Sequence, residues 1–97
     1  MAVEELKKIG KSKTLEINGA RILIVRDAED SVRAFQSHCT HKQVAVKYDE
    51  RKKLVRCPAH GSRFDLEGNV LRGPAKSALP TFKARLFSDR IVLVLND

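Results

Sequence analysis

Polar and apolar residues alternate through Lys13-Thr14-Leu15-Glu16-Ile17, which is the period of a half-buried strand. Asn18-Gly19 is a strong hairpin signal, and Arg21-Ile22-Leu23-Ile24-Val25-Arg26 reads as the returning strand, more continuously apolar and so more deeply buried. The segment 27–31 is a charged turn, after which Val32-Arg33-Ala34-Phe35-Gln36 predicts a third strand. Val46-Lys47-Tyr48 and Leu54-Val55-Arg56 form the arms of a hairpin around 49–53. Arg63-Phe64-Asp65-Leu66 and Val70-Leu71-Arg72 flank the tight turn Glu67-Gly68-Asn69, and 81–87 with 91–95 make a closing hairpin around 88–90. No stretch sustains a helical period, although 3–8 could form one short turn. The pattern predicts an all-β protein of antiparallel strands, and 97 residues without repeat or linker predict a single domain over 1–97. A domain of this size buries roughly 60–65 % of its unfolded surface, which leaves it modestly stable unaided.

Two loops stand out against this scaffold. The chain has two Cys and three His, and four of those five residues fall in Cys39-Thr40-His41 and Cys57-Pro58-Ala59-His60. Strands lead directly into both, so both loops hang from strand ends. A mononuclear zinc site normally draws a like pair of ligands from each loop. Here each loop offers one sulfur and one nitrogen, which suits a two-iron cluster with two thiolates on one iron and two imidazoles on the other. Two readings compete with it: a structural Cys2His2 zinc module, and a disulfide, which would leave both histidines unexplained. His38 is a further candidate ligand, less well spaced than His41.

The run Cys57-Pro58-Ala59-His60-Gly61-Ser62-Arg63-Phe64-Asp65, followed by Gly73-Pro74-Ala75 and Leu79-Pro80, resembles the second half of a Rieske iron–sulfur domain, and Cys39-Thr40-His41 resembles its first ligand loop. The resemblance covers almost the whole chain. It implies the Rieske fold, an antiparallel β-sheet base with an inserted cluster-binding subdomain over about 37–76, and one [2Fe–2S] cluster per chain. It also implies Cys39 and Cys57 on the inner iron, with His41 and His60 on the outer, solvent-facing iron. Gly73-Pro74-Ala75-Lys76 takes the place of a rigid loop covering the cluster, with Pro74 fixing its backbone. Ser62 stands where high-potential members carry a hydroxyl donor to the cluster, and Phe64 where they carry a tyrosine donor. The chain also lacks the extra cysteine pair of that class, since its two cysteines are both ligands. Such departures point to a Rieske ferredoxin of low to intermediate potential, because donors to cluster sulfur favour the reduced state. Lys42-Gln43-Val44 departs from the family, which often has a small residue soon after the first histidine.

Charge adds the expected partners. Nineteen Lys and Arg against twelve Asp and Glu give +7, a field that would steer acidic redox partners such as a flavin-dependent reductase or an oxygenase. Lys42 and Arg63, in or beside the ligand loops, are candidate rim contacts, against the alternative that they are solvated charges. Nucleic acid is not expected, since the cations are scattered and four Phe, one Tyr and no Trp give no stacking platform. The many charges with few Asn, Gln and Met hint at a heat-adapted source. Neither a signal peptide nor eighteen consecutive apolar residues is present, so a cytoplasmic protein with no membrane contact is expected. The function expected is one-electron transfer between a reductase and an acceptor such as an oxygenase, without catalysis by the chain itself. The alternative is an electron-delivering subunit of a larger oxidoreductase complex.

Overall fold

The computed structural model describes residues 9–17, 19–29, 31–38, 44–59, 61–87 and 91–94. They form strands β1 (Ser12–Ile17), β2 (Ala20–Ala28), β3 (Ser31–Gln36), β4 (Lys47–Asp49), β5 (Leu54–Arg56), β6 (Arg63–Phe64), β7 (Val70–Arg72), β8 (Thr81–Leu86) and β9 (Ile91–Val94). All pairings are antiparallel, in a five-stranded sheet ordered β1-β2-β3-β8-β9 and a four-stranded sheet ordered β4-β5-β6-β7. The architecture is all-β, as the alternation predicts. The expected short turn at 3–8 and the turn at 88–90 lie outside the described residues.

Strand β2 explains its own apolar run. Leu23 and Val25 face one hydrophobic core with Phe35, Val46, Val55, Cys57, Phe64, Ala75 and Leu79. Ile22 and Ile24 face the other with Val32, Ala34 and Ile91. A strand covered on both faces needs apolar residues at every position. The first core takes side chains from both sheets, so it joins the four-stranded sheet to the base.

Strand ends differ from the sequence expectation where carboxylates intervene. The strand expected over 63–66 stops at Phe64, because the Asp65 carboxylate accepts the Glu67 and Asn69 backbone N–H groups at 2.8 and 2.9 Å and draws the chain into a turn. Asp49 likewise accepts the Arg51 and Lys52 N–H groups, both at 3.1 Å, and shapes the β4–β5 turn. The charged turn expected over 27–31 is narrower, since β2 runs on to Ala28 through a bulge and β3 begins at Ser31. Gly68 closes the Asp65 turn at φ +88, and a Cβ there would lie 2.4 Å from the Leu79 carbonyl oxygen. Only glycine fits that approach.

Candidate metal centre

Strand β5 ends at Arg56 and hands the chain to Cys57, which is fully buried and a free thiol. Alternation decides its direction: Val55 points into the first core, Arg56 outward, and Cys57 inward again. The following loop is closed by two backbone hydrogen bonds, Cys57 N–H to the Ser62 carbonyl at 2.8 Å and Gly61 N–H to the Cys57 carbonyl at 3.0 Å. Pro58 and Ala59 are exposed at its tip, and Gly61 has φ +80, a left-handed value that favours glycine even though the space there is open. Cys57 carries no disulfide bridge in the structure.

Ser62 re-enters the interior and is fully buried. Its Oγ accepts the Ala75 backbone N–H at 3.0 Å, which ties the Cys57 loop to the Gly73-Pro74-Ala75 loop across thirteen positions of sequence. The Gly73–Pro74 peptide is cis, Pro74 is exposed, and Ala75 is buried. With its oxygen occupied as acceptor, the Ser62 hydroxyl keeps its proton for a second partner. Phe64 is fully buried in the core that also holds Cys57. Leu79 anchors the far end of the Pro74 loop, donating its N–H to the Gly68 carbonyl at 2.8 Å.

The first ligand loop leaves from β3. Ser37 donates its N–H to the Arg21 carbonyl at 2.9 Å, extending the β2–β3 ladder, and its carbonyl accepts the Val46 N–H at 2.7 Å. His38 bridges to Ala45, and its carbonyl accepts Gln36 Nε2–H at 3.3 Å. Cys39, His41, Lys42 and His60 lie outside the described residues, so of the four expected ligands the structure describes Cys57.

One buried polar residue at the start of the first ligand loop escaped the sequence reading. Ser37 is fully buried, and its Oγ has no hydrogen-bond partner among the described residues. A buried hydroxyl without a partner costs about 1–3 kcal/mol. The signal was its place two positions before Cys39, on the strand face of Phe35. Nearby electrostatics are set by the turns. The Lys52 N–H, foremost among its partners, holds the Asp49 carboxyl below its ordinary value. Burial alone would raise Asp65, but the Asn69 N–H and side-chain amide with the Glu67 N–H hold it below the ordinary value. Burial, with Asp27 and Glu50 behind it, pushes the Tyr48 phenol up.

The family model for the Rieske [2Fe-2S] domain matches residues 1–83. A cytochrome b6-f complex iron-sulfur subunit from Chlorobaculum thiosulfatiphilum is 30% identical over 84 residues, which are 87% of this chain and 46% of that protein. The chain thus spans about half the length of these curated relatives. Among solved structures, the cyanobacterial plasma membrane Rieske protein PetC3 from Synechocystis PCC 6803 superposes with a TM-score of 0.76 at 25% identity, covering 86% of this chain and 85% of that one. The ferredoxin of carbazole 1,9a-dioxygenase from Nocardioides aromaticivorans IC177 superposes with a TM-score of 0.78 at 22% identity, over 91% and 88%, a likeness of fold.

Proposed function

The chain belongs to the Rieske [2Fe–2S] domain family, which binds a [2Fe–2S] cluster, and from that premise we propose that it acts as a one-electron carrier of low to intermediate potential. In this reading Cys39 and Cys57 hold one iron, and His41 and His60 hold the other. The region 37–76 is the cluster-binding part of a single domain. The cluster supplies one-electron oxidation and reduction at iron.

The observation that carries the proposal is the free, fully buried thiol of Cys57, held at the root of a loop closed by its own backbone hydrogen bonds. The residues around it fit a group bearing sulfur acceptors. Ser62, whose carbonyl takes the Cys57 N–H, has a hydroxyl proton to give once its oxygen has taken the Ala75 N–H. The Ser62–Ala75 bond ties the Cys57 loop to the Pro74 loop. Phe64 supplies apolar packing where a tyrosine would supply a donor, which favours the lower end of the range of potentials. A soluble shuttle between a flavin-dependent reductase and an acceptor such as an oxygenase fits these features.

A second reading, an electron-delivering part of a larger complex, is favoured by the 30% identity to iron–sulfur subunits about twice the length of the matched region. The measured midpoint potential separates the two, since a value at the high end of the Rieske range, up to about +300 mV, belongs with the second. Absorption and electron paramagnetic resonance spectra of the purified protein test both. A coloured protein with a signal after one-electron reduction is expected, whereas a colourless protein with one zinc and no signal would overturn the carrier reading and leave the zinc module.

A further inference from the structure

The four short strands β4 to β7 pair in a register that lines up four cations. Lys47 lies opposite Arg56, Arg56 opposite Arg63, and Arg63 opposite Arg72. Residues paired across an antiparallel sheet point to the same face. The neighbouring row, Tyr48, Val55, Phe64 and Val70, packs into the first hydrophobic core, so the row of cations points away from it. Lys47, Arg56 and Arg72 are exposed and Arg63 is half-buried. With strands about 4.8 Å apart, the row runs for about 14 Å.

Two features argue that the row is selected rather than incidental. Like charges directly opposite each other destabilise a sheet, and this sheet contains three such pairs in succession. Simple alternation from Val70 would also turn Arg72 inward. The register shift between Arg63 and Phe64 inserts Leu71 as an extra residue on β7 and brings Arg72 out opposite Arg63. Asp49 shares the outer face near Arg56, one carboxylate against four cations, so the row keeps a net positive charge.

The row also borders the metal centre. Arg56 precedes Cys57, Arg63 follows Ser62, and Arg72 precedes the Gly73–Pro74 step, so three of the cations are each one residue from the loops that build the site. We propose that the Lys47–Arg56–Arg63–Arg72 row is the docking stripe for an acidic surface of a protein redox partner. This rests on the electron-carrier reading and names the partner's chemistry. Three of the four cations are arginines, whose planar forks grip carboxylates in pairs. The aromatic residues of these strands, Tyr48 and Phe64, are committed to the core and give nucleobases nothing to stack on. A partner seated on the stripe stands beside the Cys57 loop and the Gly73–Pro74 step.

The test uses the full chain loaded with its cluster and a fluorescein-labelled peptide of ten glutamates, read by anisotropy across salt concentrations. Arg56→Gln/Arg63→Gln should weaken peptide binding at least tenfold and flatten its salt dependence. Lys52→Gln/Lys53→Gln, with the same charge change in the β4–β5 turn, should change it less than twofold. If the first pair fails to take up cluster, Lys47→Gln/Arg72→Gln tests the same row away from Cys57 and Ser62, and again a tenfold loss is expected. Equal losses from row and turn variants would overturn the proposal by showing a response to net charge alone. Tighter binding of a ten-nucleotide thymidylate than of the peptide would overturn it in favour of a general polyanion surface. A chain that binds the peptide as described but shows no reducible cluster refutes the carrier reading while leaving the stripe intact.

Discussion

Replacing Ser62 by alanine separates the two tasks of one hydroxyl. Its oxygen accepts the Ala75 N–H at 3.0 Å in a buried setting, where Ser62 is fully buried and Ala75 is 4% exposed. Water cannot readily replace the lost acceptor, so the orphaned N–H costs about 1–3 kcal/mol. That is a large share of the roughly 5–15 kcal/mol that holds a typical domain together. Equilibrium urea denaturation of the cluster-free protein reads this loss as a lower midpoint at unchanged slope. In the proposed carrier the hydroxyl proton would go to a cluster sulfur, which would gain negative charge on reduction. A preference for the reduced state of about 1 kcal/mol is roughly 45 mV on a scale where tenfold is about 59 mV for one electron. Redox titration of the loaded protein should therefore show Ser62→Ala shifted down by about that amount. Ser62→Thr keeps the hydroxyl while crowding a fully buried site, so it should lose stability without the same fall in potential. An unchanged urea midpoint for Ser62→Ala would refute the tie between the loops. An unchanged potential, with stability lost as expected, would refute the donor role.

Other perturbations probe the frame around that bond. Phe64→Tyr should raise the midpoint potential by restoring a donor where the ring is fully buried, and potentiometry that finds no rise removes Phe64 from the tuning role. Gly68→Ala combines a φ of +88 with a Cβ 2.4 Å from the Leu79 carbonyl oxygen, so it should cost about 3 kcal/mol or more. Gly19→Ala, at φ +83 with nothing within 4 Å, should cost only the backbone term of about 1–2 kcal/mol; equal urea shifts for the two would show that the close approach to Leu79 is not felt. Asp65, held below its ordinary 3.8 when folded, stabilises the fold above that value, and the contribution is lost as pH falls through the lowered one. Urea midpoints followed down through about pH 4 should accordingly fall more steeply in the parent than in Asp65→Asn.

What the sequence disclosed and what it hid divide along a physical line. Cysteine and histidine are scarce, so their concentration in two loops is visible without any knowledge of pairing, and the all-β class follows from alternation within each strand. Strand ends were less legible, because Asp49 and Asp65 capture neighbouring N–H groups through side chains whose direction the pattern does not reveal. The cations beside the centre were hidden more completely. Lys47, Arg56, Arg63 and Arg72 are spaced by nine, seven and nine positions, a spread that looks like random basicity along the chain. Register makes them a row, and register depends on turn lengths and on one inserted residue at Leu71. A one-residue slip at any of the three pairings would turn cations into the core and apolar residues outward. The packing of Tyr48, Val55, Phe64 and Val70 that buries Cys57 is therefore the same constraint that aligns the cations on the opposite face. Holding the centre and presenting the stripe are two consequences of one register, so neither can be shifted without disturbing the other.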